Sequence, residues 1–163
     1  MKIAIISDSH DNLTNIQKFV KVAKKEKFDE IIRCGDMCIP KILGMLAETN
    51  AVVHFTFGNI DPGAAYEIMN VSANNKKINI YKPFGEIDVD GKKIAFVHYP
   101  KLAHGLACTK NYNAVFHGHN HTKKAEKVRD CWLANPGEIA GFVGKPTYAV
   151  YDTKKDTVEI KNL

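Results

Sequence analysis

Apolar residues run unbroken through Ile3-Ala4-Ile5-Ile6, and a polar cluster, Ser7-Asp8-Ser9-His10-Asp11-Asn12, follows at once. A short apolar run with such a boundary predicts a buried strand. Leu13, Ile16, Phe19, Val20 and Ala23 then recur at helical spacing, with lysines between them, which predicts an amphipathic helix reaching Lys27. The same alternation continues with a strand over 31–33 ending in Cys34-Gly35-Asp36, and a helix from Pro40 through Leu46. A third strand over 51–57 runs into Gly58-Asn59-Ile60-Asp61. Three successive strands therefore end by delivering polar groups. In open α/β sheets the ligand site lies beyond the carboxyl ends of the strands.

The middle of the chain reads differently. Residues 63–82 are irregular, with a short helix over 64–69 and a polar loop over 72–77. A hairpin follows, in which the alternating stretch 85–89 and the strand 92–97 are joined by Asp90-Gly91, a strong two-residue turn signal. The second arm leads into His98. A helix is expected over 101–110, then a short buried strand, Ala114-Val115-Phe116, which opens onto His117-Gly118-His119-Asn120-His121. Strands over 125–128, 132–133, 147–151 and 157–160 complete a mostly antiparallel last third. The pattern predicts one domain over 1–163 of the α/β (α+β) class: two mixed β-sheets packed face to face and flanked by helices, an αββα sandwich.

Composition changes this picture little. The 163 residues, 45% of them hydrophobic, suit a globular domain with a real core. No apolar run approaches the roughly 20 residues that span a bilayer. The N-terminal run is too short and too soon interrupted by acids to be a signal peptide, so no membrane association and a cytoplasmic location are expected. The net charge of +5 comes from 23 lysines and arginines, of which only Arg33 and Arg129 are arginines. Dispersed lysine indicates a solvated surface, and nucleic acid is not expected as a stable partner, although the balance favours anionic substrates. The four cysteines form no Cys-x-x-Cys pair.

Candidate chemistry gathers at the strand ends. In extended backbone, residues two apart share a face, so His117, His119 and His121 could point into one pocket. With Asp8, His10, Asp36, Asn59 and His98 they form a set of carboxylate, imidazole and amide groups that suits Zn, Mn, Fe, Ni or Co. Seven ligands, Asp8, His10, Asp36, Asn59, His98, His119 and His121, exceed one four-coordinate site and suit two metals about 3.5–4 Å apart. Only a carboxylate among them bridges readily, which leaves Asp8 or Asp36.

Asp8-x-His10, Gly35-Asp36, Gly58-Asn59-x-Asp61, His98 and Gly118-His119-x-His121, in this order, resemble the calcineurin-like metallophosphoesterase superfamily. The length, Cys34-Gly35-Asp36 and Asn135-Pro136-Gly137 resemble its small bacterial and archaeal phosphodiesterase branch. The resemblance implies two divalent ions per chain, with Mn foremost and Fe, Zn, Ni or Co as alternatives. One would be held by Asp8, His10 and His121 and the other by Asn59, His98 and His119, with Asp36 bridging. It further implies hydrolysis of a small phosphodiester by a hydroxide bridging the metals, without a covalent enzyme intermediate. Asp36 and Asn59 would act at the reacting centre, with Asp61 orienting a ligand imidazole or the Asn59 region; a helix N-cap role for Asp61 before Pro62 is compatible with this. Asn135-Pro136-Gly137 would support the site from behind.

Two positions depart from the family pattern. Ile60 stands where many members carry a histidine that assists the leaving group, so good leaving groups should be favoured; such assistance is typically worth ~10²–10⁴-fold. His98 is followed by Tyr99-Pro100, whereas a His-Gly pair occurs at His104-Gly105; His98 is the expected ligand because it follows a buried strand, and Tyr99 a candidate substrate contact. His117 is expected outside the ligand set. His54 reads as a hydrogen-bonded core residue, and Arg33 could reach a phosphate or pair with a surface acid. The alternatives are phosphomonoester hydrolysis at the same site, a catalytically weak scaffold protein on this fold, or a mononuclear metal protein. A homodimer is expected in part because 63–82 would need a surface to pack on.

Overall fold

A computed structural model describes residues 1–163. Six strands form one sheet in the order β11-β10-β1-β2-β3-β4, and five form a second in the order β5-β6-β7-β9-β8. In the first sheet β1 (Lys2–Ile6), β2 (Glu30–Arg33), β3 (Val52–Thr56) and β4 (Ile78–Tyr81) are mutually parallel. Antiparallel β10 (Thr147–Asp152) and β11 (Thr157–Asn162) extend that sheet beyond β1. In the second, β6 (Lys92–Phe96), β7 (Ala114–Phe116) and β9 (Cys131–Asn135) are parallel, with antiparallel β5 (Gly85–Val89) and β8 (Lys124–Val128) at the edges.

The continuous apolar runs follow from burial on both faces of the central strands. On β1, Ile3 and Ile5 face the second sheet, where they join Ile32, Phe96, Phe116 and Tyr151. Ala4 and Ile6 face the opposite way into a larger cluster with Phe19, Leu43 and Phe55. That outer cluster is capped by α1 (Leu13–Glu26), α2 (Lys41–Ala47) and α3 (Ala65–Ala73). On the far side, α4 (Pro100–Cys108) lays Ala103 and Ala107 on Ala95, Val97 and Val115. The order of layers is thus helix, sheet, sheet, helix, as the hydrophobic pattern predicts. No helix is long and apolar enough to cross a membrane.

The helices begin and end for local reasons. Asn12 caps α1, its side chain accepting the Asn15 N–H at 3.0 Å, and Lys27 ends the helix in the left-handed region at φ 53°. Lys24 and Lys25 lie in the last turn, where cations complement the helix dipole.

The stretch 63–82 is more ordered than its composition suggests. A short 3-10 turn, Asp61–Ala64, leads into α3, which reaches Ala73, and β4 pairs in parallel with β3. Ile68 is fully buried within this chain, while Tyr66 and Met69 on the same helix stay exposed, so one face of the segment packs on its own domain and the other is free. The strand is missed in the sequence because Ile78-Asn79-Ile80-Tyr81 lies between Lys76-Lys77 and Lys82-Pro83, so its two isoleucines read as part of a polar loop.

Candidate metal centre

All seven predicted ligands lie beyond the carboxyl ends of parallel strands. Asp8 and His10 follow β1, Asp36 follows β2 and Asn59 follows β3; His98 follows β6, and His119 and His121 follow β7. Backbone hydrogen bonds tie these loops together. Asp8 N–H donates to Gly35 O at 3.2 Å, Ser9 N–H to Asp36 O at 3.1 Å, Gly118 N–H to His98 O at 3.1 Å and Ala140 N–H to Asp8 O at 3.0 Å.

Alternation along an extended strand does not bring the histidines together. Strand β7 ends at Phe116, and His119 and His121 sit in the left-handed region at φ 79° and 58°. Asp8, His10 and Asp36 share that conformation, at φ 50°, 39° and 50°. Five of the seven ligands thus occupy backbone that costs about 1–3 kcal/mol each, and the loop-to-loop hydrogen bonds hold them there. Two glycines permit the crowding. A Cβ on Gly58 would lie 2.1 Å from Asp36 Oδ1, and one on Gly118 would lie 1.9 Å from Ser7 Oγ and 2.5 Å from Asp8 Oδ2.

Two groups result. His10 Nε2 and His121 Nε2 face each other at 3.1 Å, with Asp8 Oδ1 3.6 Å from His121 Nε2. Asn59 Oδ1 is 3.0 Å from both His98 Nε2 and His119 Nδ1, which are 3.2 Å apart. Asp36 Oδ2 stands between them, 3.4 Å from His98 Nε2 and 3.9 Å from His10 Nε2. Asp8 is close to both groups, within metal-sharing reach of His10 and His121 and also of Asp36 and His98. Metal–ligand bonds of about 2.1 Å set neighbouring donor atoms roughly 3–3.5 Å apart, and the imidazole and amide donors meet this at 3.0–3.2 Å while the carboxylates stand somewhat farther, at 3.4–3.9 Å.

The outer nitrogens of two imidazoles are already engaged. His98 Nδ1 lies 2.7 Å from Cys34 O, a pure acceptor, so this nitrogen carries the proton. His121 Nδ1 lies 2.7 Å from Glu138 Oε2 and must also donate. In the neutral rings both Nε2 lone pairs then point inward, that of His98 at Asn59 Oδ1 and Asp36 Oδ2 and that of His121 at His10 Nε2 and Asp8 Oδ1, an arrangement that a cation relieves. The donor set fits divalent metal. Burial opposes charging His98, but hydrogen bonds to Asp36 and the Cys34 carbonyl, and the Asp8 charge, raise its pKa. Burial also works to raise Asp36, yet His98, the Ile60 N–H and His10 hold it below the usual range, whereas in Asp8 burial prevails and raises it.

Of the two roles expected of it, Asp61 takes that of orienting the Asn59 region, through the neighbouring Gly58 N–H, and not that of orienting an imidazole. Its fully buried carboxylate accepts the backbone N–H groups of Asp36 (2.8 Å), Met37 (2.7 Å), Cys38 (3.2 Å) and Gly58 (2.7 Å). It clamps the Asp36 and Gly58 loops against each other and touches no ligand ring. It does not cap the helix that follows either, since that position falls to Ile60.

Glu138 is the functional residue that the sequence reading missed. One oxygen takes the His121 proton, and the other accepts the Val143 and Gly144 N–H groups, fixing the ligand's tautomer as a supporting carboxylate does. The signal was available, because β9 is another parallel strand ending in polar residues, Asn135-Pro136-Gly137-Glu138. Asn135 supports the histidine loop, donating to Gly118 O at 3.2 Å and Asn120 Oδ1 at 2.6 Å.

Other residues separate from the site. His117 is buried and directs Nδ1 to Gly118 O. His104 lies on exposed α4, facing a cavity of about 310 Å³ with Lys101 and His117. His54 bridges Tyr81 Oη (2.9 Å) and Glu30 Oε2 (2.7 Å) within the core. Arg33 reaches neither phosphate nor a surface acid. It is fully buried, donating to Ser9 Oγ (2.7 Å) and Asp36 O (3.1 Å).

Residues 1–156 match the model of the calcineurin-like phosphoesterase superfamily domain. The chain belongs to this superfamily. A phosphodiesterase of Methanocaldococcus jannaschii is 32% identical over 158 residues, covering 95% of each chain. A solved structure of an archaeal phosphodiesterase superposes with a TM-score of 0.91 at 30% identity, covering all of both chains. The E. coli phosphoesterase Yfce shares the fold, with a TM-score of 0.72 at 15% identity over 99% of both chains.

The centre of this superfamily member leads to two predictions. Asp61→Ala removes the acceptor of four N–H groups, each costing about 1–3 kcal/mol if left unpaired in the interior. We expect a melting-temperature drop of about 10 °C or more and Mn²⁺ binding at least about tenfold weaker by calorimetry, with Asp61→Asn intermediate. For Glu138, burial works to raise the pKa, but N–H groups of Gly144, Val143 and Phe142, with His121, lower it. A depressed folded value gives stability that is present above the unfolded pKa and lost as pH falls through the folded one. The metal-free protein should therefore lose its stability advantage over Glu138→Gln as pH falls below the ordinary glutamate value of 4.5 and through the depressed folded value, measured by thermal melting.

Proposed function

We propose that this chain is a metal-dependent phosphodiesterase, acting as one domain over residues 1–163 with a centre for two divalent ions. The observation that carries this reading is the convergence of seven nitrogen and oxygen ligands in two groups about Asp36, at the spacing of metal coordination. The M. jannaschii relative, 32% identical, bears the name phosphodiesterase, which supports a diester over a monoester substrate.

Asp8, His10 and His121 would hold one ion and Asn59, His98 and His119 the other, with Asp36 shared. Divalent ions in such a pair lower the pKa of bound water and neutralise phosphoryl oxygens. The donor set accepts Mn, Fe, Zn, Ni or Co, and Mn is our first choice. The protein's own part is to fix these ligands and to add no competing nucleophile. Ser7 Oγ is committed to Cys34 O at 2.9 Å, and Ser9 Oγ accepts from Arg33. Burial pushes the Cys34 thiol well up and the Cys38 thiol to about 12, so neither is a thiolate near neutrality. Water is the nucleophile that this leaves.

Departure of the leaving group has no titratable helper at Ile60, whose N–H instead donates to Asp36 Oδ1 at 3.2 Å. Esters of acidic alcohols such as phenols should therefore be the better substrates. The scaffold alternative is disfavoured because all seven ligand positions are filled and the donor atoms converge. The cytoplasm remains the compartment we assign.

The experiment is hydrolysis of an aryl phosphodiester by protein loaded in turn with Mn²⁺, Co²⁺, Ni²⁺ and Zn²⁺, alongside metal content per chain. We expect two ions per chain and activity abolished by chelator. Asp36→Asn should lower kcat/KM by at least about 10³-fold, and retained activity in that variant would refute the bridging assignment. Aryl diesters should outpace alkyl diesters; parity between the two would remove the argument from Ile60.

A further inference from the structure

Two exposed aromatic rings rest on the ligand imidazoles, one on each group. Phe142 is 68% exposed, and its ring centroid lies 5.4 Å from that of His10. Tyr99 is 44% exposed, and its ring lies 5.2 Å from His98 and 5.4 Å from His119. His10 and His119 belong to different ligand groups, with Asp36 between them, so the rings mark opposite ends of the centre.

Neither ring sits on loose backbone. Glu138 accepts the Val143 and Gly144 N–H groups, and Asn12 and Asn15 donate to Ala140 O and Ile139 O at 2.9 Å, which anchors the loop carrying Phe142. Tyr99 stands at the start of α4 between buried His98 and Pro100, its carbonyl accepting the Ala103 N–H at 3.0 Å. Rigid backbone presenting large apolar rings to water leaves hydrophobic surface for a ligand to cover. Tyr66 is more exposed still, at 82%, but lies on α3 and stacks on no ligand ring.

A phosphodiester at Asp36 projects an ester arm toward either end. Aromatic faces reward a flat ring there, in offset or edge-to-face contact, and a methyl or simple alkyl arm gains little. We propose that Tyr99 and Phe142 form an aromatic bracket that selects phosphodiesters whose retained arm carries a planar ring, from an aryl alcohol or a nucleoside. This rests on the phosphodiesterase reading and names its substrate class. Tyr99 was expected at the substrate from its sequence position; Phe142 joins it only through the fold.

The test uses three diesters that all release 4-nitrophenolate, with a methyl, a phenyl or a 5′-thymidine retained arm, on the Mn²⁺-loaded full chain. The ring-over-methyl preference in kcat/KM should fall about tenfold in Phe142→Ala or Tyr99→Ala, within the range measured for one base–aromatic stack. Tyr66→Ala should keep it. Preference for the phenyl arm alone assigns an aryl ester, and preference extending to thymidine a nucleoside diester; either sustains the bracket. Calorimetric binding of phenylphosphonate against methylphosphonate gives a readout independent of turnover. If the wild type hydrolyses none of the diesters, the phosphodiesterase reading fails, while the phosphonate pair still decides the bracket. Wild-type preference in both variants by both measurements would overturn it. So would unchanged preference accompanied by a drop in sedimentation coefficient in Phe142→Ala, which would assign the ring to contact between two copies.

Discussion

One buried carboxylate joins the two loops on which the centre depends. Asp61 accepts four backbone N–H groups, three from the Asp36 loop and one from Gly58. Charge-assisted hydrogen bonds of this kind are about twice as strong as neutral ones. They fix loops that leave adjacent strands and carry Asp36 and Asn59. Gly58 can approach Asp36 closely only because it lacks a Cβ, and the Asp61 clamp turns that proximity into a fixed geometry. Ligand placement within a few tenths of an ångström, which metal coordination requires, then follows from backbone hydrogen bonds, with little left to flexible side chains.

The cost of this arrangement is concentrated negative charge. Asp8, Asp36, Asp61 and Glu138 are all buried in one region, and buried carboxylates are expensive unless paired. Three of them find their own relief, whereas in Asp8 burial prevails. Asp61 has its N–H groups, Glu138 has His121 and the 143–144 backbone, and Asp36 has His98. Arg33 lies buried beneath the Asp36 loop, and burial lowers its pKa while the charges of Asp61 and Asp8 raise it. Its guanidinium thus supplies positive charge from behind, while divalent cations would supply it from the front. That division explains why the arginine nearest the site does not face it.

Supporting contacts also link the ligands to the surface above them. Glu138 holds His121 with one oxygen and the loop bearing Phe142 with the other, so the orientation of a ligand and the position of an aromatic ring at the rim share one support. Strand ends supply every one of these groups. Function is thereby placed on the rigid part of the fold, with only Phe142 and its neighbours carried on a longer loop.

The sequence by itself determined the architecture and singled out the candidate ligands. Buried parallel strands must be continuously apolar and must end where polar residues begin, so the transition from Ile6 to Asp8, or from Arg33 to Asp36, marks both a strand end and a candidate ligand. The helices of α1 and α4 and the Asp90-Gly91 hairpin were legible for equally local reasons of periodicity and turn chemistry. Tertiary structure decided what depends on distance between chain-remote atoms. It turned His119 and His121 into left-handed conformations that strand alternation does not foresee, and it made Asp61 a loop clamp. It also brought Glu138 to His121 Nδ1 and the Phe142 ring against His10. Those roles arise from hydrogen bonds and stacking between residues over a hundred positions apart in some cases, and no local pattern encodes which loop ends will meet.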